Sequence, residues 1–219
     1  MIIKERQKII TMKSIFIAIS LLMLSTGGYA QKFERKAGDA EGLAVGEKVE
    51  AFSASDQKGN TFRLDQALED GPVVLIFYRG HWCPVCNRQL GKLEAELSRI
   101  TKAGGRVVAV SPEKPDYIEK TIEKTGASYT LLYDEDYQIS NALDVTYLPG
   151  GLTRTGYSLA LGADFNDAYD DDKPKLPIPA TYLINTDGTI AWRHFNPDYK
   201  ERATVNQIVR ALKNINLAR

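Results

Sequence analysis

Two cysteines separated by two residues are the side chains of this sequence best suited to chemistry. Cys83 and Cys86, the only cysteines of the chain, form a Cys-Pro-Val-Cys tetrad. A helical pattern follows, so Cys83 is predicted at the helix N-terminus, with Pro84 at the first helical position. Unpaired backbone N–H groups and the helix dipole favour an anion there, and thiols in such motifs have pKa values lowered from about 8.5 to roughly 3.5–7.5. The tetrad therefore predicts a nucleophilic thiolate and reversible disulfide chemistry.

Two other uses of the cysteine pair are less favoured. As a structural staple, the disulfide closes a very short loop and removes little unfolded-chain entropy. A zinc site needs His81 and His194 as further ligands, and these histidines do not recur at zinc-finger spacing. No metal and no cofactor are predicted, since the sequence carries no dinucleotide-binding or phosphate-binding motif. Arg79, which leaves the strand before the tetrad, is the best candidate for adding positive charge beside it.

A buried strand and an amphipathic helix are predicted on either side of the tetrad. Residues 73–78 form a continuous apolar run, which is typical of a strand covered on both faces. After the tetrad, apolar side chains recur at helical spacing: Leu90, Leu93, Leu97 and Ile100. This stripe, extended back by four residues, reaches Cys86. We therefore expect Cys86 to point inward and Cys83 to be the more exposed thiol.

The rest of the chain alternates strand and helix patterns, which predicts an α/β fold. Hairpins are expected around the turns at 57–60 and 185–188. Further strands are predicted at 106–111 and 130–133, and further helices at 115–125 and 204–217. Between 144 and 176 glycines, prolines and aspartates interrupt the rhythm, and we interpret this segment as an inserted loop near the active-site end.

The first 30 residues resemble a signal peptide. Four basic side chains and one acidic side chain accompany an apolar run from Ile15 to Leu24, which is shorter than the roughly 20 residues needed to span a bilayer. Small residues at Gly28 and Ala30 predict cleavage before Gln31, with Met1 or Met12 as the start. Export to a periplasm-like compartment is expected, with membrane contact only through this segment before cleavage. An uncleaved anchor is the alternative.

The length and composition of the chain are typical of a single domain, and its net charge limits the kinds of partner it can bind. The 219 residues are 43% hydrophobic, and their formal net charge is zero. Removal of the basic first segment leaves a net charge of −3, which argues against nucleic-acid binding. We expect a polar lead segment at 31–48 and one domain at 49–219.

Two features of the sequence resemble thioredoxin. Trp82 followed by the tetrad is similar to its W-C-x-x-C active site. The segment from Leu176 to Thr181 precedes a strand, as the cis-proline loop of thioredoxin does. This resemblance implies a cis Ile178–Pro179 bond packed against the cysteines, and it marks Trp82, Pro179 and Thr181 as substrate-binding residues.

A closer resemblance is to the alkyl hydroperoxide reductase and thiol-specific antioxidant family, in particular to its CxxC-containing, peroxiredoxin-like members. Residues 77–90 fit F-Y-R-G-x-W-C-P-x-C-N-x-Q-L throughout, and the similarity extends from about Val49 to the end. It implies a thioredoxin-like fold, with a central mixed β-sheet flanked by helices, an N-terminal β-hairpin extension and an inserted loop.

The family motif P-x-x-x-T-x-x-C aligns Cys86 with the peroxidatic cysteine, and three positions depart from the family. Cys83 stands at the threonine position, Arg79 at the proline position, and Pro179 where the family has an arginine. The departures remove two donors that hold a peroxide, and Arg79 is the residue available to compensate.

Two enzymatic mechanisms use the same cysteines. In a thiol peroxidase, Cys86 attacks a hydroperoxide and Cys83 forms a disulfide with it, which an external thiol reductant such as a thioredoxin-like protein reduces. In a thiol–disulfide oxidoreductase acting on exported proteins, Cys83 attacks the partner disulfide and Cys86 resolves the intermediate. The peroxidase is the favoured prediction because the closer resemblance points to it. A redox-inactive binding module is the third alternative.

Overall fold

The structure is a computed structural model that describes residues 35–217. The predicted signal segment, residues 1–30, lies outside the described residues. From Lys36 onward the chain packs as one unit. The described part of the lead segment packs against the last strand of the fold. Arg193 Nη1 donates to the carbonyl oxygens of Gly42 and Leu43 at 2.9 and 2.7 Å.

Strands and helices alternate through most of the described chain, as predicted. The strands are β1 (Ser53–Ser55), β2 (Thr61–Arg63), β3 (Val73–Phe77), β4 (Arg106–Ser111), β5 (Thr130–Tyr133), β6 (Thr146–Tyr147), β7 (Leu176–Pro177), β8 (Ala180–Ile184) and β9 (Ile190–Phe195). The α-helices are α1 (Leu64–Glu69), α2 (Pro84–Ala95), α3 (Leu97–Lys102), α4 (Pro115–Thr125), α5 (Gln138–Ala142), α6 (Gly151–Leu161) and α7 (Val205–Leu217). Short 3₁₀ turns occur at Ala37–Asp39 and Glu135–Tyr137.

A five-stranded mixed sheet forms the centre, in the order β5-β4-β3-β8-β9. β3, β4 and β5 run parallel, whereas β8 and β9 are antiparallel to their neighbours. All five side chains of β3 are buried, as expected for the central strand of a sheet covered by helices on both faces. The thioredoxin-like α/β fold predicted from the sequence is confirmed.

The predicted N-terminal hairpin is present, and it docks on the sheet edge. β1 pairs antiparallel with β2, and the turn is held by Asp56 Oδ1, which accepts hydrogen bonds from the N–H groups of Lys58 and Asn60 at 2.8 Å. The side chain of Gln57 bridges to β5, accepting from Leu131 N at 2.9 Å. The hairpin therefore covers the β5 edge, which would otherwise present unpaired backbone groups.

Two predicted elements differ in the structure. The helix after the tetrad is interrupted at Glu96, whose backbone (φ −116°, ψ 16°) is not helical, so α2 and α3 are separate. The segment interpreted as an inserted loop contains α6, which begins after Gly150 and ends at Gly162 with φ 70°. No residue of α6 is fully buried, and two of its leucines, Leu152 and Leu159, are 92% and 84% exposed.

The described helices offer no candidate for crossing a membrane, since none is both long enough and apolar enough.

Candidate active site

The two cysteines are joined by a disulfide at the N-terminus of α2. A short loop leads from β3 to Cys83, which is the N-cap residue of α2, and Pro84 lies in the first turn as predicted. Cys86 N donates to Cys83 Sγ at 3.2 Å, so the sulfur takes the place of an N-cap oxygen. A thiolate here faces the N–H groups of the first helical turn, which favour the anion.

Both cysteine side chains are buried. Cys83 and Cys86 are each 0% exposed, so the expectation that Cys83 is the more exposed thiol is wrong. The helical stripe predicted the inward position of Cys86 correctly. It carries no information about side chains from other segments, and two arginines lie against the sulfurs.

Arg79 lies on Cys83. It is 1% exposed, and its Nη2 donates to Cys83 Sγ at 3.3 Å while Nη1 donates to the Tyr157 hydroxyl at 2.9 Å. The guanidinium also faces the rings of Tyr199 and Tyr157, with centroids 4.0 and 5.0 Å away. These cation–π contacts offset part of the cost of burying the charge. Arg79 therefore lies beside the tetrad, as predicted.

Arg202 lies on Cys86 and was missed in the sequence analysis. Its Nη2 donates to Cys86 Sγ at 3.4 Å, its Nη1 to Gln89 Oε1 at 3.1 Å, and its Nε to Tyr199 O at 2.7 Å. Burial, and then the charge of Arg79, lower the pKa of Arg202. The guanidinium is thus fixed by three hydrogen bonds next to the sulfur that the family motif assigns to the peroxidatic position.

Arg202 lies three residues before the start of α7. Thr204 and Gln207 form a capping box, in which Thr204 N donates to Gln207 Oε1 at 2.9 Å and Gln207 N donates to Thr204 Oγ1 at 3.3 Å. The T-x-x-Q spacing is a sequence signal for this helix start. The 116-residue separation between Arg202 and Cys86 leaves no local motif that connects them.

Trp82 is buried next to the tetrad and contacts three aromatic side chains of the inserted segment. It is 3% exposed, and its Nε1 donates to the Tyr169 hydroxyl at 3.2 Å. That hydroxyl in turn donates to Arg79 O at 3.1 Å. The indole ring packs on Tyr157 and Phe165, with centroids 5.0 and 5.7 Å away. The insertion therefore does lie at the active-site end, as predicted, and its aromatic side chains hold Trp82 and Arg79.

A buried, hydrogen-bonded pair of His81 and Glu113 holds the loop between β3 and α2. Glu113 is 0% exposed and accepts hydrogen bonds from His81 N at 2.7 Å and from the ring nitrogen Nδ1 at 2.9 Å. Burial raises the pKa of Glu113, and the hydrogen bonds from His81 oppose this shift. Gly80 makes the approach possible, since a Cβ there would lie 2.5 Å from Glu113 Cδ. The sequence analysis did not single out Glu113, which follows β4.

Pro179 and Thr181 occupy different places relative to the cysteines. Pro179 is buried and lines a cleft with Tyr157 and Tyr199, the two tyrosines stacked on Arg79. Thr181 is 1% exposed within β8, where its strand partners are Ile76 and His194. Pro179 is therefore near the site, whereas Thr181 belongs to the sheet beneath it.

The expected cis Ile178–Pro179 bond is wrong, because this peptide bond is trans. The trans isomer is the favoured one for most X–Pro bonds. The preceding residues are held by pairing of β7 with β6, and Ile178 N donates to Val145 O at 2.7 Å. The chain therefore enters β8 through a trans peptide bond, directly after the short β6–β7 ladder.

Two clefts of about 390 Å³ each are lined by residues that surround the two arginines of the site. The first, the Cys86-side cleft, lies between residues 85–96 and residues 200–206 and has Arg202 and Gln89 in its wall. The second, the Cys83-side cleft, is formed by residues 147–157, Pro179 and the segment 197–199, with Lys36 and Ala37 at its border. Among residues 35–217 there is no group of three or more His, Cys, Asp or Glu side chains arranged to hold a metal ion.

The model of the AhpC/TSA family matches residues 45–193. The chain belongs to this family. Thiol–disulfide oxidoreductase ResA of Geobacillus thermodenitrificans is 28% identical over 146 residues, which cover 66% of this chain and 80% of the relative. Peroxiredoxin Bcp of Escherichia coli is 28% identical over 140 residues, which cover 60% of this chain and 88% of the relative.

The crystal structure of peroxidoxin BcpB from Mycobacterium tuberculosis has the same fold, with a TM-score of 0.61 and 21% identity over 79% of this chain and 98% of that protein. Membership of the AhpC/TSA family makes the chain a thiol-dependent oxidoreductase. The two relatives of equal identity carry different names, a thiol–disulfide oxidoreductase and a peroxiredoxin.

Proposed function

We propose that this member of the AhpC/TSA family is a thiol-dependent peroxidase that reduces hydrogen peroxide or organic hydroperoxides through a Cys83/Cys86 dithiol–disulfide cycle. The observation that carries the proposal is the guanidinium of Arg202, 3.4 Å from Cys86 Sγ. It supplies, from a different segment, the positive hydrogen-bond donor that Pro179 cannot supply. Donors of this kind stabilise the thiolate and the charge that develops on the leaving oxygen.

The cycle conserves atoms and electrons in three steps. The Cys86 thiolate attacks one oxygen of the hydroperoxide, an S–O bond forms, the O–O bond breaks, and the leaving alkoxide or hydroxide takes a proton. Cys83 then attacks the sulfenic acid of Cys86, and water leaves as the disulfide forms. An external dithiol, such as a thioredoxin-like protein, reduces the disulfide and is itself oxidised.

The second candidate is a thiol–disulfide oxidoreductase that acts on exported proteins. The Cys83-side cleft favours it, because the cleft is lined by Tyr147, Pro149 and Pro179 and lies beside the residues that hold Arg79. The similarity to ResA also supports this candidate. In that reaction Cys83 attacks first and Cys86 resolves, so the two cysteines exchange roles.

Export and domain organisation are part of the proposal. The first 30 residues support a signal peptide that is cleaved before Gln31, and hence a periplasm-like location. Residues 49–219 are proposed as the peroxidase domain. The peroxide and the external thiol reductant are its proposed partners, together with membrane contact only before cleavage.

Oxidation kinetics distinguish the two activities. The reduced protein without residues 1–30 is mixed with hydrogen peroxide in a stopped-flow instrument, with Trp82 fluorescence as the signal, beside the Cys83→Ser and Cys86→Ser variants. A peroxidase reacts much faster than free cysteine thiolate, and only Cys86→Ser abolishes the reaction. A rate no higher than that of a free thiol, with insulin disulfide reduction lost in Cys83→Ser, rejects the peroxidase and supports disulfide exchange.

A further inference from the structure

The Cys86-side cleft carries an excess of positive charge. Its charged side chains are Arg88, Lys92, Lys200 and Arg202 against Glu96 and Glu201. Within the described part of the chain, no ion pair involves any of the four basic residues. The carboxylate of Glu96, by contrast, is bound by Arg99 outside the cleft.

The arrangement on α2 concentrates this charge at the cleft mouth. Arg88 and Lys92 lie four residues apart, so they are neighbours on one helix face. Both are exposed, and like charges at this spacing repel each other and destabilise the helix. An anion bound between them relieves this repulsion.

The inner wall of the cleft is also positive, because it includes Arg202, which contacts the buried sulfur of Cys86. Arg202 donates to both Gln89 Oε1 and Cys86 Sγ, so its guanidinium connects the cleft wall to the sulfur. Basic side chains therefore occupy both the mouth and the inner wall of one cavity. The wall between them includes the apolar Val85, Leu93 and Val205, which suits a short carbon chain.

The Cys83-side cleft has a different lining. Tyrosine, proline and leucine side chains predominate there, and Lys36 is the single charged residue of its lining. The two clefts are of equal size but differ in charge. An anionic ligand is therefore favoured in the Cys86-side cleft by charge and not by size.

We propose that the Cys86-side cleft binds hydroperoxides that carry a negative charge, with a carboxylate held at the mouth by Arg88 and Lys92 and the peroxide group directed toward Arg202 and Cys86. This inference rests on the proposed peroxidase function. The reaction is the same as for a neutral hydroperoxide: Cys86 accepts one oxygen, and the substrate leaves as the corresponding hydroxy acid.

A matched substrate pair tests the inference. Values of kcat/KM are measured for a short aliphatic hydroperoxide with a terminal carboxylate and for its methyl ester, with dithiothreitol as reductant. We expect the carboxylate to be preferred about five- to tenfold at low ionic strength, and the preference to shrink as salt screens the charges. The double variant Arg88→Gln/Lys92→Gln should bring the ratio close to one.

The control removes the same charge elsewhere on the surface. Lys102→Gln/Lys213→Gln changes two exposed lysines outside the cleft and should keep the parental ratio. Equal use of acid and ester by the parent, or a preference that persists in Arg88→Gln/Lys92→Gln, overturns the inference.

Binding of the product separates this inference from the proposed function. Titration calorimetry compares the corresponding hydroxy acid with its methyl ester on the oxidised protein, which needs no turnover. Stronger binding of the acid that is lost in Arg88→Gln/Lys92→Gln supports the anion site even if hydrogen peroxide fails to oxidise Cys86. Equal binding of acid and ester rejects the site while leaving the peroxidase proposal to its own kinetics.

Discussion

Reduction of the disulfide leaves two sulfur atoms beside two guanidinium groups. Arg79 donates to Cys83 Sγ and Arg202 donates to Cys86 Sγ, and neither arginine takes part in an ion pair of residues 35–217. A positive charge that is partly desolvated and has no carboxylate partner stabilises a nearby anion strongly. The thiolates are the anions that the site itself provides. Each arginine therefore promotes ionisation of its own cysteine.

Replacement of Arg202 should make Cys86 ionise less readily. In Arg202→Gln the pH midpoint of thiolate formation at Cys86 should rise by about one unit. The peroxide reaction at neutral pH should slow at least about tenfold, because the donor that stabilises the leaving oxygen is lost as well. Arg202→Lys should recover part of the loss, because it keeps the charge without the planar fork. Thiolate ultraviolet absorbance against pH, in a Cys83→Ser background, and stopped-flow oxidation measure the two effects.

Arg210→Gln is the matched control for this prediction. Arg210 is an exposed arginine on α7, so its replacement removes one charge away from the sulfurs and should leave the midpoint unchanged. A Cys86 midpoint that is the same in Arg202→Gln and in the parent contradicts the assigned role.

The two arginines mark how far the sequence predicts the site. Arg79 lies four residues before Cys83, so its position could be inferred from the strand and the helix start. Arg202 reaches Cys86 only because the chain after β9 returns across α2, and no short-range pattern encodes such a contact. The same limit explains why the burial of Cys83 was missed, since Arg79 and the residues that fix it come from several segments.

The loop between β3 and α2 links the sheet to the active cysteines. Glu113, from the loop after β4, accepts two hydrogen bonds from His81, so the ends of two parallel strands position the tetrad together. Asn87 Nδ2 donates to His81 O at 2.7 Å, which ties the same loop to α2. Gly80 leaves room for this arrangement, because a Cβ at that position would also lie 2.6 Å from Trp82 Nε1.

Gly80→Ala should therefore displace Glu113 or Trp82. We expect the free energy of unfolding to fall by about 1–3 kcal/mol, as for other overpacked sites, and the peroxide reaction to slow because the tetrad shifts. Urea denaturation and stopped-flow oxidation measure the two effects. Gly156→Ala is the control, since nothing lies within 4 Å of its Cβ position in α6, and alanine there should raise helix stability by up to about 1 kcal/mol. Equal stability of Gly80→Ala and the parent contradicts the steric argument.

Elements with a buried face were predictable, and those without one were not. Strand β4 and helix α4 have the predicted bounds, because apolar spacing and the Gly126 stop define them. Helix α6 is bordered by Gly150 and Gly162 and has no buried residue. The glycines, prolines and aspartates of this segment favoured a loop over a helix in the prediction. Its role comes from Tyr157, which reaches Arg79.

Two buried carboxyl groups, Asp134 and Glu113, make the stability of the whole protein depend on pH. Asp134 accepts hydrogen bonds from Ile139 N and Ser140 N at 2.7 and 3.0 Å, yet burial raises its pKa to about 6. Burial also raises the pKa of Glu113. In the unfolded chain the pKa values of Asp and Glu are about 3.9 and 4.3. The folded state therefore binds these protons more tightly than the unfolded state does.

The sign of the pH effect follows from this difference. A group whose pKa is raised on folding contributes stability that is fully present below the unfolded pKa and is lost as pH rises through the folded pKa. Exposed carboxylates such as Asp65 and Asp187, whose pKa values are lowered by hydrogen bonds, act in the opposite direction. Their exposure to solvent keeps that contribution small.

We therefore expect Asp134→Asn to flatten the pH dependence of stability. Because the folded pKa lies about two units above the unfolded one, the parent should lose about 2 kcal/mol more than the variant between pH 4 and pH 7. Above pH 6 the variant also loses hydrogen bonds, because the amide has one acceptor oxygen for the three donors from Ile139 and Ser140. The slope, and not the absolute value, carries the test. Urea unfolding at a series of pH values measures it, with Asp172→Asn as an exposed control that should keep the parental slope, and parallel curves for Asp134→Asn and the parent contradict the prediction.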